Sequence, residues 1–593
     1  MRGPKKRFFI IISILFTLGY FLPLVKLYDL QFVKHSEWVE RGYKMRTRII
    51  RYPPSRGDII SRDEKILASS APSYDLEVIP AEIKNKKTIN NNYLHETEKI
   101  FGTSISSSLS KALEISGPLA FQPFTIKMDL SFDELSKISS LIFEHSYLIL
   151  DKVPKRYYPH GRLASHVIGY IGRDTFMYVG KSGIEYIHDD VLKGEPGGKI
   201  VETDAFGRIV KVVEQLDGEK GGNVILSLDS RLQEEAEDLF EDKEGALVAM
   251  NVNNGDIVAL VSKPDFDPND FSRALKPDIW KEYINNPSKP ILSRYISAKY
   301  NPGSVFKVIV AIAALEEGVA TQDTLMSCPG YFQYGNNIHR CWKEKGHGII
   351  NMKEAIVHSC DVYFYNLGLR LGPAKIAKWA RNFGLGQKTG IDLPGEVEGI
   401  VPDPVWKIRT LGHKWYEGES ISYAVGQGYI LVTPLQIARA FAAIANGGFL
   451  VKPKVAFVVN DAPIQKEEEI LQIPVSKKTI DFIKDALLES VERGTGYRAK
   501  IPNIKIAGKT GTSQVVSIKV IENLIGKEMK NIDISEIPYH LRDNGWFVAF
   551  APYDNPEIVI VSLVEHGGFG GIASAPLVGK LMKKYFSLKN IVD

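Results

Sequence analysis

Two stretches of the chain are apolar without the polar positions that an amphipathic helix would show. Residues 8–25 contain 18 consecutive residues without a charge. As a helix they would span about 27 Å, close to the roughly 30 Å hydrocarbon core of a bilayer. Residues 305–315 are shorter and contain one lysine, Lys307. The pattern therefore predicts an N-terminal membrane anchor and a second helix that is buried on all sides inside a folded domain.

Alternation of apolar and polar positions predicts two β-hairpins in the second half of the chain. Residues 245–262 form two alternating runs around the turn sequence NNGD, and residues 545–567 form two more around YDNPE. Helical patterns lie between them, including residues 435–448, which end on glycine as helices often do. We expect an antiparallel sheet that is closed by strands from both ends of this region and flanked by helices.

These patterns divide the chain into four parts. In chain order they are a short tail (1–7), a transmembrane helix (8–25), a region of short strand-like and turn-rich pieces (26–222) and a larger domain with both hairpins (223–593). The sequence DGEKGG at 217–222 is the predicted linker, and a helix is expected to start near Asp229 or Ser230. The predicted fold class is α+β, with an elongated, mostly-β region between the membrane and the larger domain.

The distribution of charge predicts the orientation of the anchor. Arg2, Lys5, Lys6 and Arg7 precede the apolar run, so the N-terminus is expected in the cytoplasm and everything after Lys26 outside the cytoplasmic membrane. A cleaved signal peptide is the alternative, but the run is long for one and no small-x-small cleavage site follows. The 74 basic and 70 acidic residues give a net charge of +4, which is too small and too evenly spread to indicate nucleic-acid binding.

Three polar clusters in the larger domain carry the candidate chemistry. The first is Ser304 with Lys307, which share one face of the predicted helix because they are three residues apart. The second is SCD at 359–361, and the third is KTGT at 509–512. Singly, each has an ordinary explanation, such as a helix cap, a lysine that snorkels to the surface, or a turn. Together and in this order they match the S-x-x-K, S-x-N and K-T-G set of penicillin-recognising acyl transferases.

Acyl transfer explains the residue types in these clusters. The hydroxyl of Ser304 needs a nearby base, and Lys307 can supply one if its apolar surroundings keep it neutral. Ser359 is expected to relay a proton toward the leaving amine. Lys509 is expected to bind a substrate carboxylate and to help keep Lys307 neutral, since like charges disfavour one another.

The third cluster also predicts groups that bind substrate and stabilise charge. The backbone amides of Ser304 and Thr512 are expected to form the oxyanion hole, with Thr512 on an edge strand. Gly511 would let that strand come close to the substrate. Thr510 belongs to the same substrate-binding segment, between Lys509 and Gly511.

These motifs and several phrases outside them carry a family resemblance. The chain resembles class B penicillin-binding proteins along nearly its full length, with RGDI, RYYP, LASHVIGYIG and GIEYIHDDVLKGEPG in residues 26–222 and YAVGQGYILVTPLQIARA in the larger domain. The resemblance implies that residues 26–222 are a non-catalytic pedestal, a dimerisation-type domain. It implies that residues 223–593 are a D,D-transpeptidase domain, the target of β-lactam antibiotics.

The resemblance also implies a reaction. Ser304 would attack the penultimate D-alanine of a peptidoglycan stem peptide and release the terminal D-alanine, and an amine from a neighbouring stem would resolve the acyl-enzyme to make the cross-link. One position departs from the common pattern: Asp361 stands where asparagine is usual. Elongation-type members often show this acid, which makes Asp361 a further candidate catalytic residue.

All three cysteines lie between the first two motifs or within the second. Cys328, Cys341 and Cys360 together with His347 make a Cys₃His set, which is a closed tetrahedral arrangement for structural zinc. The resemblance also implies a metal site here, since elongation-type class B members carry one at matching positions, built with mixed carboxylate, histidine and cysteine ligands. The alternative is a disulfide, such as Cys328 with Cys341, and a free Cys360. His339 is a possible replacement for His347.

Several functions remain open at the level of sequence. A peptidoglycan D,D-transpeptidase for cell elongation is preferred, because of the Cys/His cluster and the SCD motif. The alternatives are a division-type transpeptidase, a hydrolytic relative such as a β-lactamase or D,D-carboxypeptidase, and a non-catalytic scaffold. Class B proteins lack a glycosyltransferase domain, so the resemblance implies a polytopic membrane glycosyltransferase as partner.

Overall fold

The structure, a computed structural model, begins with a long apolar helix. Helix α1 (Pro4–Tyr28) continues through a π-helical turn (Asp29–Val33) and is followed by α2 (His35–Arg46). The most apolar 18-residue window within Lys6–Val33 has a mean hydropathy of 2.4 and is not buried in the protein. The predicted anchor is thus long and apolar enough to cross a membrane. The structure describes residues 4–85, 104–144, 148–174, 177–204, 209–272, 277–463, 470–529 and 532–590.

The pedestal combines sheets with short helices. Its strands are β1 (Thr47–Tyr52), β2 (Ile59–Ile60), β3 (Ile66–Val78), β4 (Phe124–Lys127), β5 (Leu148–Tyr157), β6 (Ile171–Asp174), β7 (Met177–Gly180), β8 (Gly197–Thr203) and β9 (Ile209–Leu216). Its helices are α3 (Pro80–Asn85), α4 (Ser104–Glu114), α5 (Phe132–Glu144), α6 (Ser165–Ile168), α7 (Gly183–Ile187) and α8 (Asp189–Leu192). Helices α4 and α5 bury their apolar faces with β3, β4 and β5 in a separate core. The pedestal therefore contains more helix than the strand-like sequence pattern predicted.

The larger domain contains the remaining elements. Its strands are β10 (Val224–Leu226), β11 (Gly245–Asn251), β12 (Ile257–Lys263), β13 (Met326–Cys328), β14 (Tyr331–Tyr334), β15 (Asn337–Arg340), β16 (Gly348–Ile350), β17 (Phe449–Leu450), β18 (Ala456–Val459), β19 (Ala462–Pro463), β20 (Leu471–Gln472), β21 (Ala507–Ser513), β22 (Asn544–Ala551) and β23 (Ile558–Val564). Its helices are α9 (Ser230–Asp238), α10 (Pro277–Asn285), α11 (Arg294–Ser297), α12 (Lys307–Glu316), α13 (Met352–Val357), α14 (Asp361–Asn382), α15 (Pro404–Leu411), α16 (Glu419–Ala424), α17 (Pro434–Ala445), α18 (Lys477–Glu492), α19 (Ile518–Ile525), α20 (Gly570–Ala573) and α21 (Ala575–Leu588).

The centre of this domain is a five-stranded antiparallel sheet in the order β12-β11-β23-β22-β21. Both predicted hairpins form, as β11 with β12 and β22 with β23. Strand β11 also pairs with β23, so the two ends of the domain close the sheet as predicted. Strand β21, which carries the third motif, lies at the edge and pairs only with β22 among the described strands.

Helices cover both faces of this sheet because alternate strand residues point to opposite sides. One core contains α12 and α17 packed against β11 and β23, and the predicted buried helix lies here, with Val308–Ala314 all buried. The other core contains α9 and α21 on the opposite face. The first motif is therefore carried by a helix in the middle of the larger core, which restricts its movement relative to the sheet.

A second sheet connects the two regions. Its seven strands include the path β19-β18-β10-β2-β3-β4, with β5 paired to β3. Strand β10, which follows the predicted linker, pairs in parallel with β2 of the pedestal and antiparallel with β18 of the larger domain. The predicted boundary at 222–223 therefore falls beside a sheet that continues across it, which the local sequence pattern did not indicate.

Candidate active site

Ser304 lies in a 3-10 turn, Gly303–Val305, directly before α12. Gly303 has a φ of +54°, a conformation that side chains with a Cβ rarely adopt. A Cβ built on Gly303 would also lie 2.4 Å from the carbonyl oxygen of Thr512. Glycine is therefore required here for two reasons, and the edge strand passes immediately beside the residue that precedes Ser304.

The ammonium of Lys307 is fully buried and has three acceptors. It donates to Oδ1 of Asp361 at 2.7 Å, to the carbonyl oxygen of Ser359 at 2.9 Å and to the Ser359 hydroxyl at 3.4 Å. The surroundings thus differ from the wholly apolar environment expected from the sequence, since a carboxylate lies against the lysine. Within the described residues, the Ser304 hydroxyl makes no hydrogen bond to Lys307.

Ser359 is held in a backbone conformation that directs it toward Lys307. Its φ is +52°, in the left-handed region that is uncommon for residues other than glycine and that often marks functional positions. The residue is buried, and it lies in the short connection between α13 and α14. This turn presents both its carbonyl oxygen and its hydroxyl to the same ammonium group.

Asp361 connects the second motif to the loop that carries Cys341. It is the first residue of α14, where the partial positive charge of the helix N-terminus favours a carboxylate. One oxygen accepts from Lys307, and the other accepts the backbone N–H of Trp342 at 2.9 Å. Hydrogen bonds to both carboxylate oxygens therefore fix the position of the Asp361 side chain.

Lys509 lies on β21, fully buried, and donates to the carbonyl oxygen of Thr510 at 3.1 Å. Burial lowers the pKa of Lys509 well below its ordinary value, and the positive charge of Lys307 lowers it further, while Asp361 acts in the opposite direction. The two lysines are thus close enough for the charge of Lys307 to act on Lys509.

Gly511 and Thr510 have close neighbours on opposite sides of β21. A Cβ on Gly511 would lie 3.0 Å from the Val305 side chain and 3.1 Å from the carbonyl oxygen of Pro302. Glycine therefore lets the strand approach the turn that holds the first motif, whereas the sequence had suggested approach to a substrate. The hydroxyl of Thr510 lies 2.6 Å from the hydroxyl of Thr495.

The structure adds residues that sequence reasoning did not single out. The N–H of Gly303 donates to the carbonyl oxygen of Gly426 at 3.0 Å, and a Cβ on Gly426 would lie 2.2 Å from the carbonyl oxygen of Gly303. The side chain of Gln427 donates to the carbonyl oxygen of Thr512 at 3.3 Å. Gly426 and Gln427 both lie in the phrase YAVGQG, where Gly426 is the sequence signal for close backbone packing. Local sequence does not distinguish it from Gly428, where a Cβ would meet no atom within 4 Å. Thr495 had no signal beyond the short sequence GTG.

The four candidate metal ligands lie together beside the second motif. The sulfur atoms of Cys328, Cys341 and Cys360 and a ring nitrogen of His347 all lie within 4.8 Å of one another. His347 Nδ1 is 3.5 Å from the Cys328 sulfur and 3.6 Å from the Cys341 sulfur. All three cysteines are buried and free, so the structure contains no disulfide between them. His339 is not part of this group and packs its ring against Tyr365.

Local pairing brings these ligands together. Strand β13 pairs with β16 so that Cys328 is opposite Gly348, next to His347, and the N–H of His347 donates to the carbonyl oxygen of Cys328 at 3.0 Å. The thiols of Cys341 and Cys360 share a hydrogen bond that lowers the pKa of Cys341 and raises that of Cys360. Strand pairing and the start of α14 thus bring the ligand atoms to one place.

Comparison with known proteins gives two family matches. The penicillin-binding protein transpeptidase domain matches residues 245–583, and the penicillin-binding protein dimerisation domain matches residues 51–226. Peptidoglycan D,D-transpeptidase MrdA of Acinetobacter baumannii is 36% identical over 571 residues, covering 92% of this chain and 82% of that protein. MrdA of Escherichia coli K12 is 28% identical over 589 residues, covering 95% and 90%.

Solved structures agree with these matches. Penicillin-binding protein PBP2 of Helicobacter pylori, in a complex with MreC, has a TM-score of 0.77 and 30% identity, with 92% of this chain and 100% of that chain covered. PBP2 of Pseudomonas aeruginosa, in complex with WCK 5153, has a TM-score of 0.66 and 27% identity, covering 91% and 97%. The chain therefore belongs to the class B penicillin-binding proteins, in the elongation-type group of peptidoglycan D,D-transpeptidases.

Proposed function

We propose that Ser304 is the nucleophile of a transpeptidation reaction that cross-links peptidoglycan stem peptides during cell elongation. Its oxygen attacks the carbonyl carbon of the penultimate D-alanine, the peptide bond to the terminal D-alanine breaks, and that D-alanine leaves with a proton on its amine. An amine of a second stem then attacks the ester: the amide cross-link forms, the ester bond to Ser304 breaks, and a proton from the attacking amine restores the Ser304 hydroxyl. The convergence of all three motifs beside Ser304 carries this proposal.

The proton on the Ser304 hydroxyl needs an acceptor for this attack. Lys307 is one helical turn away, but its three acceptors match the three protons of an ammonium group. In its neutral form it accepts the hydroxyl proton of Ser304 as the attack proceeds. The ammonium formed in this way then gives up that proton along the contact with Ser359, whose hydroxyl accepts it and donates its own proton to the nitrogen of the leaving amine.

The developing negative charge on the attacked carbonyl oxygen needs donors. The backbone N–H groups of Ser304 and Thr512 are the proposed donors, because the edge strand passes within contact of the turn that contains Ser304. A Cβ on Gly303 would lie 3.2 Å from the backbone nitrogen of Thr512. This short distance supports the proposal that the two backbone amides donate to the same carbonyl oxygen.

Labelling by a fluorescent penicillin tests the nucleophile. The wild-type chain in detergent should form a covalent adduct, and Ser304→Ala should form none. Ser288→Ala, at a partly exposed position outside the motifs, should label like the wild type. Mass spectrometry should place the adduct on the peptide that contains Ser304. An adduct that persists in Ser304→Ala would rule out this assignment.

We also propose that the Cys₃His group binds structural zinc. The donor set and the mutual separation of its atoms fit a tetrahedral site. Zinc would hold Cys360 and Cys341, which directly precede Asp361 and Trp342, the two residues joined by a hydrogen bond. The metal would therefore fix the second motif without contacting substrate.

Metal analysis of the purified protein tests this proposal. One zinc ion per chain is expected, and His347→Ala should lose it while His339→Ala keeps it. A zinc-free protein with a mapped disulfide between Cys328 and Cys341 would overturn the proposal.

The location and partner follow from the same function. We propose that the N-terminus lies in the cytoplasm and the catalytic domain outside, and that a polytopic membrane glycosyltransferase supplies the glycan strands. The basic residues before the apolar helix support the orientation. A cysteine-accessibility assay with a membrane-impermeant thiol reagent would test it, applied to Lys5→Cys and Lys220→Cys in the otherwise unchanged chain, whose own three cysteines are buried. Labelling in intact spheroplasts is expected only at 220.

A further inference from the structure

Thr495 contacts both the third motif and the helix that leads into the second motif. It lies in the turn after α18, and its hydroxyl is 2.6 Å from the hydroxyl of Thr510 on β21. Its backbone N–H points to the carbonyl oxygen of Val357 at 3.4 Å. Val357 ends α13, two residues before Ser359. One residue outside the three motifs therefore connects the second motif to the third.

The turn that carries Thr495 is fixed by close packing. A Cβ on Gly494 would lie 2.4 Å from the carbonyl oxygen of Val357, so glycine is needed for this approach. Arg493 pairs with Glu354 of α13, with a contact of 3.0 Å. The turn is therefore held against the helix that leads into the second motif, and its side chains have little freedom to move away from β21.

The contact with Thr495 limits what the Thr510 hydroxyl can do. A hydroxyl has one proton to donate and two lone pairs. If the Thr495 hydroxyl donates to the Thr510 hydroxyl, the Thr510 hydroxyl can donate its own proton to a group of the bound substrate. A carboxylate is the strongest acceptor that a stem peptide or a penicillin offers, and hydrogen bonds in such a chain strengthen one another.

We propose that Thr495 is a positioning residue that orients the Thr510 hydroxyl to donate to the carboxylate of the bound stem peptide or penicillin. This proposal rests on the proposed function, because it assumes that the third motif binds that carboxylate. It assigns to Thr495 no contact with the reacting atoms. In this arrangement the Thr495 hydroxyl donates to the Thr510 hydroxyl, which donates to the carboxylate, and we call these two hydrogen bonds the relay. The turn that carries Thr495 sets the distance between the relay and Ser359.

Acylation kinetics with a matched pair of ligands test the relay. Thr495→Val removes the hydroxyl at nearly constant volume, and we expect it to slow acylation by benzylpenicillin about tenfold, the effect of one lost hydrogen bond to a charged group. The methyl ester of benzylpenicillin has no carboxylate, so its slower acylation should change less than about twofold. Thr495→Ser keeps the hydroxyl and should restore the wild-type rate with benzylpenicillin to within about twofold.

Two controls separate the relay from a structural effect. Thr479→Val removes another buried threonine hydroxyl, on α18, and should leave both acylation rates unchanged even if the melting temperature falls. If Thr495→Val does not fold, Thr495→Ala replaces it in the same comparison. Equal slowing of penicillin and its ester, or no slowing of either, would overturn the proposal. Ser304→Ala remains unlabelled in either case, so failure of this inference is distinguishable from failure of the proposed function.

Discussion

The Nζ atom of Lys307 lies 2.7 Å from Oδ1 of Asp361, so an ion pair joins the first motif to the second. The lysine side chain is fully buried and the aspartate is 16% exposed. A carboxylate at this distance favours the charged form of a lysine, whereas burial among apolar groups disfavours it. Asp361 is therefore placed to decide how readily Lys307 serves as a base.

Replacing this acid by asparagine should change the rate of acylation. Asp361→Asn removes the negative charge that lies 2.7 Å from Lys307 and favours its charged form, so acylation at pH 7.5 should become several-fold faster. The rate is measured with benzylpenicillin. Asp403→Asn, which removes a carboxylate at the start of another helix, should leave the rate unchanged. A rate that stays the same or falls in Asp361→Asn would contradict this role.

The buried Lys509 should lower the stability of the folded chain at neutral pH. Burial lowers the pKa of Lys509 well below its usual value, so the unfolded chain binds this proton more tightly than the folded chain. The resulting penalty is complete below the folded-state pKa and fades as the pH rises toward 10.5. Lys509→Met should therefore keep or raise the melting temperature at pH 7 while acylation falls at least tenfold. Thermal unfolding and penicillin labelling on one preparation check both outcomes, and a large fall in melting temperature would contradict the expectation.

Gly303→Ala should greatly slow acylation because of a steric clash with β21, and a substitution at a second glycine with a similar φ separates this effect from backbone strain. Gly303→Ala must adopt a φ of +54° and also place its Cβ 2.4 Å from the Thr512 carbonyl oxygen. Gly318→Ala has a similar φ of +66° but meets no atom within 4 Å. Both should lose about 1 to 3 kcal/mol of unfolding free energy through backbone strain. Only Gly303→Ala should also lose penicillin acylation, by about a hundredfold, and equal acylation in the two variants would contradict this explanation.

The junction between pedestal and larger domain should be sensitive to acid. His166 of α6 is buried, with Nε2 at 2.8 Å from the carbonyl oxygen of Pro290. Burial lowers its pKa from 6.5 to about 4, so the unfolded chain takes up a proton first as the pH falls. Stability is therefore present above pH 6.5 and is lost as the pH falls toward 4, by up to about 3 kcal/mol.

His166→Gln tests this dependence, because glutamine does not titrate. The difference in melting temperature between pH 7.5 and pH 5 should be smaller in His166→Gln than in the wild type. His160, six residues earlier in the chain and exposed, supplies the control substitution His160→Gln, which should leave most of the pH dependence unchanged. A wild-type pH dependence in His166→Gln would show that other groups cause it.

Local sequence patterns predicted the elements of the catalytic domain well. The alternating runs around NNGD and YDNPE became β11–β12 and β22–β23, and the apolar stretch after Ser304 became the buried helix α12. These features depend on residues that are near one another in the chain, so periodicity and turn chemistry suffice to identify them. The three motifs also indicated the chemistry, because the residues of each motif are at most three positions apart in the chain.

The tertiary structure decided the contacts between elements. Asp361 beside Lys307, Gly426 against Gly303 and Thr495 against Thr510 are separated by 15 to 123 residues along the chain, and no local pattern sets such distances. The sheet that joins β2 to β10 and β18 likewise depends on strand pairing across the predicted domain boundary. Sequence alone determined which residues could perform acyl transfer. Packing determined that the lysine meets a carboxylate, because only the folded chain brings the N-terminus of α14 against α12.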